Sequence, residues 1–439
     1  MKTRVLFVLL LAIAGWRGAS AQPVDKDKLD GYFDRLSEKD KAMGSMTITR
    51  DGVISYTRAI GFGEITGSEV KPLTAFSRFR IGSVSKMFTA TMILQLVEEG
   101  KLKLTDTLDG YFPRVPNATK ITIEQMLAHR SGISDLTEDP EFRNWKVEPK
   151  SRDDVVARIS GRAPEFEPDA KFGYSNSGYI LLGYIIEQAT GMVYQEALKA
   201  RITSKIRLAD TYLGTGKIDF SLKEVESYRY GTGWNPEPQT HLSVPGGAGA
   251  IISTPADLAK FIQALFDLQL VTKATLDRMT QAELGMQRYS IDGQTLYGHG
   301  GAIDGFRALL LYLPNEKLAI AYTTNGMRYP IAQIVEDALA IARSRPFQIP
   351  IFESVSVATD VLDLYVGEYS SPNMPVTFTI SRTGTVLTAQ PEGKSAAQLE
   401  ATARDAFKCE PMGLVIEFDA AKKQMTLKRR GRETVFTKK

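Results

Sequence analysis

The sequence predicts an α+β fold in which an antiparallel sheet, flanked by terminal helices, carries a helical lobe and is followed by a small all-β C-terminal domain. Three observations predict it. Strand-like runs near residue 50 and again beyond residue 300 bracket a stretch, Ile121 to about Gly231, that is mostly helical and loop-like, so the two ends of the large domain meet in one sheet. Helical patterns lie just outside those strands. Beyond Pro346 and Pro350 the chain changes to short β-prone segments separated by turn residues.

Met1 to Ala21 carries Lys2 and Arg4, an apolar run from Val5 to Ala14, and Ala19-Ser20-Ala21 before Gln22. That order reads as a secretory signal peptide, too short in its apolar core to span a bilayer. The expectation is therefore an exported chain, periplasmic or secreted, and soluble after cleavage. Asp25 to Lys41 reads as a polar-faced helix, and Ser45 to Tyr56 as two strands joined at Asp51-Gly52. A helix should begin near Ser83, run through Met92, Ile93, Leu96 and Val97, and stop at Gly100. Ser177 to Ala189 is the clearest helix of the middle stretch. Phe306 to Leu313 and Leu318 to Thr324 flank Pro314-Asn315-Glu316-Lys317 and read as paired strands, and Ile331 to Arg343 as a closing helix.

The domains expected are thus a signal peptide at 1–21, a large domain at 22–345, a linker at 346–357 and a small β-barrel-like domain at 358–439. Within the last, Val376 to Ile380, Thr385 to Ala389, Gly413 to Phe418, Gln424 to Lys428 and Glu433 to Thr437 are the strand candidates. A cleft between sheet and helical lobe is the expected site.

Charge and cysteine content narrow the function. The 54 basic residues include Lys2, Arg4 and Arg17, whose loss with the signal peptide leaves 51 against 51 acidic ones. A neutral chain argues against nucleic acid as a partner, and Lys428, Arg429, Arg430 and Arg432 read as a solvated strand face. Cys409 is the only cysteine, so no internal disulfide forms. Three scattered histidines and one cysteine give no metal-ligand spacing, and neither metal nor cofactor is expected.

Three short motifs carry chemistry. Ser83 and Lys86 stand three apart at an expected helix start, which places both side chains on one face. A serine hydroxyl needs a base, and a desolvated lysine can be one. By itself the spacing also fits a surface serine near a helix start. Tyr174 and Asn176 flank Ser175 just before the next helix; an extended segment turns both toward one pocket, where a phenol can shuttle a proton and an amide can orient a carbonyl. A buried tyrosine and a helix-capping asparagine would read the same way. His299-Gly300-Gly301 precedes Ala302, whose N–H can join that of Ser83 in an oxyanion hole, while His299 can touch a substrate carboxylate or assist proton transfer.

In the order Ser-x-x-Lys, Tyr-x-Asn, His-x-Gly the chain resembles the penicillin-recognising serine hydrolases, the group of class C β-lactamases, D-Ala-D-Ala carboxypeptidases, D-aminopeptidases and related esterases, over roughly residues 25 to 345. Met126 to Ile133 and Gly246-Gly247-Ala248-Gly249 are similar to that family as well. The resemblance implies that Ser83 is acylated, that Lys86 and Tyr174 share acid and base duties, and that Asn176, His299, Gly301 and Ala302 bind substrate. His299 stands where typical class C β-lactamases have lysine, which turns the expectation from β-lactams toward a small peptide or ester, peptidoglycan-derived peptides included. A β-lactamase is the alternative enzyme; a non-catalytic peptidoglycan- or partner-binding protein is the alternative of another class. His129 reads as structural, and His241 as lining the cleft or capping a turn.

Overall fold

The computed structural model describes residues 24–439 except 232, 353–354, 394–395, 410–412 and 430. The signal-peptide expectation therefore lies outside the described residues. Six strands, β1 (Ala42–Arg50), β2 (Val53–Ile60), β3 (Gln287–Ile291), β4 (Gln294–Ile303), β5 (Phe306–Leu313) and β6 (Leu318–Met327), form one antiparallel sheet in the order β3-β4-β5-β6-β1-β2. The N-terminal hairpin thus sits beside a strand almost 280 positions away, Ala42 facing Met327 and Arg50 facing Leu318.

The sheet is buried on both faces, and its alternation sorts side chains to two cores. Leu309, Leu311, Leu313, Leu318, Ile320 and Tyr322 pack under α1 (Lys26–Glu38). Ala308, Leu310, Tyr312, Ala319 and Ala321 turn instead toward the helical lobe. That lobe includes α2 (Ser85–Glu98), α3 (Asn176–Thr190) and α4 (Pro255–Phe266). The terminal-helix core is completed by α5 (Ile331–Ala342), which supplies Ile334, Val335 and Leu339. Twelve of the fourteen residues of α2 are buried, so it is the lobe's central helix rather than an amphipathic one. Phe88 on α2 stacks on Phe261 of α4, ring centroids 3.8 Å apart, and fixes it against the sheet.

No helix or strand occurs among the described residues of 343–358; a short helix, Thr359–Tyr365, then leads into eight antiparallel strands between Gly367 and Lys438. These close into a barrel, sealed where Tyr369 pairs with Lys438. Three of its strands, Gly367–Ser371, Ala397–Ala401 and Ala406–Cys409, lie outside the five segments legible as strands in the sequence. The barrel is fastened to the large domain by the buried Lys41 ammonium, 2.5 Å from Glu400 Oε2, and to the connecting segment by the Val355 N–H donating to the Ala401 carbonyl. Cys409 is buried in the barrel, and Lys428 is paired with Glu417 and Glu433 across neighbouring strands. Among the described residues no helix is long and apolar enough to cross a membrane.

Candidate active site

Ser83 lies in a single 3-10 turn, Gly82–Val84, one step ahead of α2 rather than within it. The turn is set by Gly82, whose φ of +52° suits glycine and whose added Cβ would stand 2.7 Å from Ala302 N. Lys86, in the first turn of α2, is fully buried. Its Nζ lies 3.1 Å from Ser83 Oγ, 2.7 Å from Asn176 Oδ1 and 2.9 Å from the Ala248 carbonyl. Burial lowers its pKa from 10.5 to about 7, opposed by the negative charge of Asp135. Near neutral pH Lys86 therefore has an amine population, able to accept the Ser83 hydroxyl proton while still donating to Asn176 and Ala248.

The segment before α3 brings the second motif to the same place. Ser175 is extended (φ −137°, ψ 116°) and its hydroxyl accepts from the Gly178 N–H, so Ser175 is the N-cap and Asn176 the first helical residue. The amide of Asn176 is thereby released from capping. Its Oδ1 takes the Lys86 ammonium and its Nδ2 donates to Asp135 Oδ2 at 2.8 Å. One amide hydrogen remains for a substrate group. The Tyr174 hydroxyl bonds Ser83; burial nevertheless pushes its pKa up to about 12, keeping it a phenol at neutral pH. The Lys86 ammonium sits 5.0 Å from the Tyr174 ring centroid.

His299 and Ala302 lie inside β4. Strand β3 pairs with β4 only as far as Gln287 and Gly298, so beyond that point the β4 edge is open to the Gly82–Val84 turn. Gly301 lets the two backbones meet, since a Cβ there would penetrate the Ile81 carbonyl oxygen. The Tyr289 hydroxyl bonds the Gly300 backbone in a way that favours the phenolate, so it is the Gly300 N–H that donates. Alternate N–H groups of a strand point the same way. Ala302 N–H therefore also points out of the sheet, toward the turn carrying Ser83.

The His299 side chain, by the same alternation, faces the lobe. It is buried, with Nδ1 2.5 Å from the Gly300 carbonyl oxygen and its ring 6.4 Å from that of Tyr174. Burial and the Lys86 charge lower its pKa to about 4, so it is a neutral imidazole at pH 7. His241 lies elsewhere, bonding Ser243 Oγ at 2.8 Å in a turn.

A cavity of about 290 Å³ opens beside Ser83. Asn176, Gly82 and Ala302 border it, Leu136, Phe142, Ile180, Val244 and Pro245 form apolar walls, and Lys146, Thr240, Asp304 and Arg307 form a polar end. The Asp304 side chain is fully buried and accepts from Lys146 Nζ (2.9 Å), Thr240 N and Thr240 Oγ1, with Arg80 3.5 Å away.

Two residues that bear on the site carried no functional signal in the sequence. His129, in the left-handed region at φ +56°, stacks on Tyr174 with ring centroids 4.3 Å apart and accepts from the Ser175 N–H through Nδ1. Burial lowers its pKa to about 3. Asp135 meets Lys86 only through Asn176. Their neighbours lie some 40 positions away or more, where short motifs are blind.

A sequence profile of the family described as Beta-lactamase matches residues 29–343. Among curated proteins, penicillin-binding protein 4* of Bacillus subtilis is 27% identical over 377 residues, 78% of this chain and 82% of its own. A D-stereospecific amidohydrolase from Streptomyces sp. is 28% identical in sequence, with a TM-score of 0.62 over 72% of this chain and 98% of that one. The fold of an octameric penicillin-binding protein homologue from Pyrococcus abyssi, 23% identical, extends over 94% of this chain and 99% of that one with a TM-score of 0.63.

Proposed function

Because the chain belongs to the Beta-lactamase family of serine hydrolases, we propose that it cleaves a small peptide amide or ester of D-configured amino acids through an acyl-enzyme on Ser83. The observation that carries this reading is the Lys86 amine, desolvated to a pKa of about 7 and 3.1 Å from Ser83 Oγ. Lys86 takes the hydroxyl proton as Ser83 Oγ attacks the substrate carbonyl. The tetrahedral oxyanion is held by the N–H groups of Ser83 and Ala302. Collapse expels the amine or alcohol, protonated through the Tyr174 phenol, whose own proton is replaced from the Lys86 ammonium. Water then repeats the attack on the ester, and Ser83 is restored.

Asn176 serves on two sides, fixing Lys86 through Oδ1 and offering its remaining amide hydrogen to the substrate. His299, neutral and buried, supplies no cation for a carboxylate, which supports an amide or ester without that group over a β-lactam. Similarity to a D-stereospecific amidohydrolase supports the D configuration. Export after removal of residues 1–21 belongs to the same reading, and N-terminal sequencing of the protein recovered outside the cytoplasm checks it.

The test is a hydrolysis panel of D-Ala-D-Ala peptides, D-amino-acid amides, short-chain esters and nitrocefin on wild type and Ser83→Ala. Turnover of the amides or esters with loss in the variant, and an adduct mapped to Ser83 by mass spectrometry, is the expected result. Nitrocefin as the preferred substrate would make the protein a β-lactamase. Activity surviving in Ser83→Ala would remove Ser83 from the mechanism, and absence of any adduct would leave a binding protein.

A further inference from the structure

Asp135 is a buried carboxylate that the mechanism above does not use. It follows the segment Met126–Ile133, and its two oxygens are differently engaged. Oδ1 accepts the Thr137 N–H at 2.9 Å, closing a short turn. Oδ2 accepts both the Asn176 side-chain amide at 2.8 Å and the Asn176 backbone N–H at 3.3 Å. One residue further, the Leu136 N–H donates to Ser177 Oγ at 2.9 Å. The loop and the start of α3 are thus locked together, and Leu136 and Thr137, which border the cavity, move with them.

An amide has two ends that differ in chemistry, and nothing in the shape of Asn176 decides which faces Lys86. Asp135 decides it. A carboxylate accepts only, so the NH₂ end must turn to Asp135 and the oxygen to Lys86, at 2.7 Å. The oxygen end is the one that stabilises an ammonium. We propose that Asp135 is a positioning residue for the acyl-transfer step, orienting the Asn176 amide toward Lys86 and supplying the negative charge that balances the Lys86 ammonium formed when Ser83 gives up its proton. This rests on the acyl-enzyme reading of Ser83.

The other groups packed around Lys86 leave that task to Asp135. His129 comes from the same loop and His299 from β4, and both are neutral at pH 7. Tyr174, beside α3, is a neutral phenol, Tyr179 presents its ring 5.6 Å from Nζ, and Ala248 contributes a carbonyl. Among the described residues Asp135 is the one carboxylate whose charge bears on the Lys86 titration, and it raises that pKa against burial. Its removal must therefore favour the amine and move the acid limb of activity to lower pH.

The experiment compares full-length wild type, Asp135→Asn and Asp135→Ala in the pH dependence of Ser83 acylation by an activated ester, each rate normalised to the folded, titratable fraction. Asp135→Asn keeps size and an accepting oxygen but removes the charge. Its acid limb is expected at lower pH, with the plateau rate reduced about tenfold, within the reach of a disturbed acid–base step. Asp135→Ala frees the amide as well and is expected to lose more of the plateau rate. A reduced rate with the acid limb unmoved in Asp135→Asn overturns the proposal, since a merely structural carboxylate would give that result. Wild type forming an adduct while the Asp135→Asn limb stays in place refutes the role of Asp135 alone; wild type forming none refutes the acyl-enzyme reading and this proposal with it.

Discussion

Gly301→Ala isolates the oxyanion hole from the rest of the machinery. The added methyl would be driven into the Ile81 carbonyl oxygen, with Val84 Cγ2 also at 3.2 Å. Contacts below 3.0 Å are not sustained, so strand and turn must separate by about 1 Å to make room. An oxyanion donor works at about 2.7–3.1 Å. Moving the Ala302 N–H by that ångström takes it out of hydrogen-bond range of an oxygen bound at Ser83. Loss of one such donor costs about 10²–10³-fold in kcat, or about 2.7–4 kcal/mol of transition-state stabilisation. Gly300→Ala is the internal control, because its nearest neighbour, Tyr289 Oη, is at 3.8 Å and nothing has to move. The assay is kcat on the best ester or amide, with thermal melts of both variants. Gly301→Ala acylating at the wild-type rate while still folded would refute the placement of Ala302 N–H in the oxyanion hole.

Other predictions follow from the same geometry. With Lys86 titrating at about 7, kcat/KM should fall tenfold per pH unit below that value, because the ammonium cannot accept the Ser83 proton; a pH profile flat from 5 to 8 would exclude Lys86 as base. Lys86→Met should abolish turnover yet raise the melting temperature at pH 7. The native pKa lies below the unfolded 10.5, so the unfolded chain binds more protons between about 7 and 10.5, and wild-type stability rises with pH across that window. Tyr174→Phe should lower kcat by about 10²-fold with KM little changed, read on an amide whose leaving group needs a proton. Phe88→Ala removes the α2–α4 stack and should cost about 3–5 kcal/mol in urea denaturation.

What was legible in the sequence divides by the range of the interaction. The Ser83–Lys86 pair and the Tyr174–Asn176 pair are set by local geometry, a helical turn and an extended step, and the structure brings all four side chains together. Four strands of the six-stranded sheet were legible as apolar or β-prone runs around strong turns such as Asp51-Gly52, whereas β3 and β4, rich in Gln and Gly, were not. Asp135 and His129 were not, since their partners lie 41 and 46 positions away and an aspartate in a loop carries no spacing signature. His299 lies on β4, and the direction of its side chain depends on which face β4 turns to the lobe, a fact of register. In the barrel, Ala397–Ala401 and Ala406–Cys409 are short and flanked by Ser, Thr, Arg and Asp residues, so closure of the barrel defines them more than their own composition does.

The titration order of the site argues for lysine over histidine as the base. Both nearby histidines are pushed below the neutral range, to about 3 and 4, and the Lys86 charge contributes to each shift. Tyr174, at about 12, stands far above it. Of these four groups Lys86 is the one that changes protonation near pH 7, so together they carry at most one titrating positive charge there. A buried ammonium without compensation is costly. The carbonyl of Ala248 and the amide oxygen of Asn176 solvate it, and Asp135 balances it at one remove. Direct contact with a carboxylate would hold Lys86 as a permanent ammonium, useless as a base; total isolation would keep it an amine too weak to take the proton. The interposed amide of Asn176 sets the balance between these, which is why its two ends must not be exchanged.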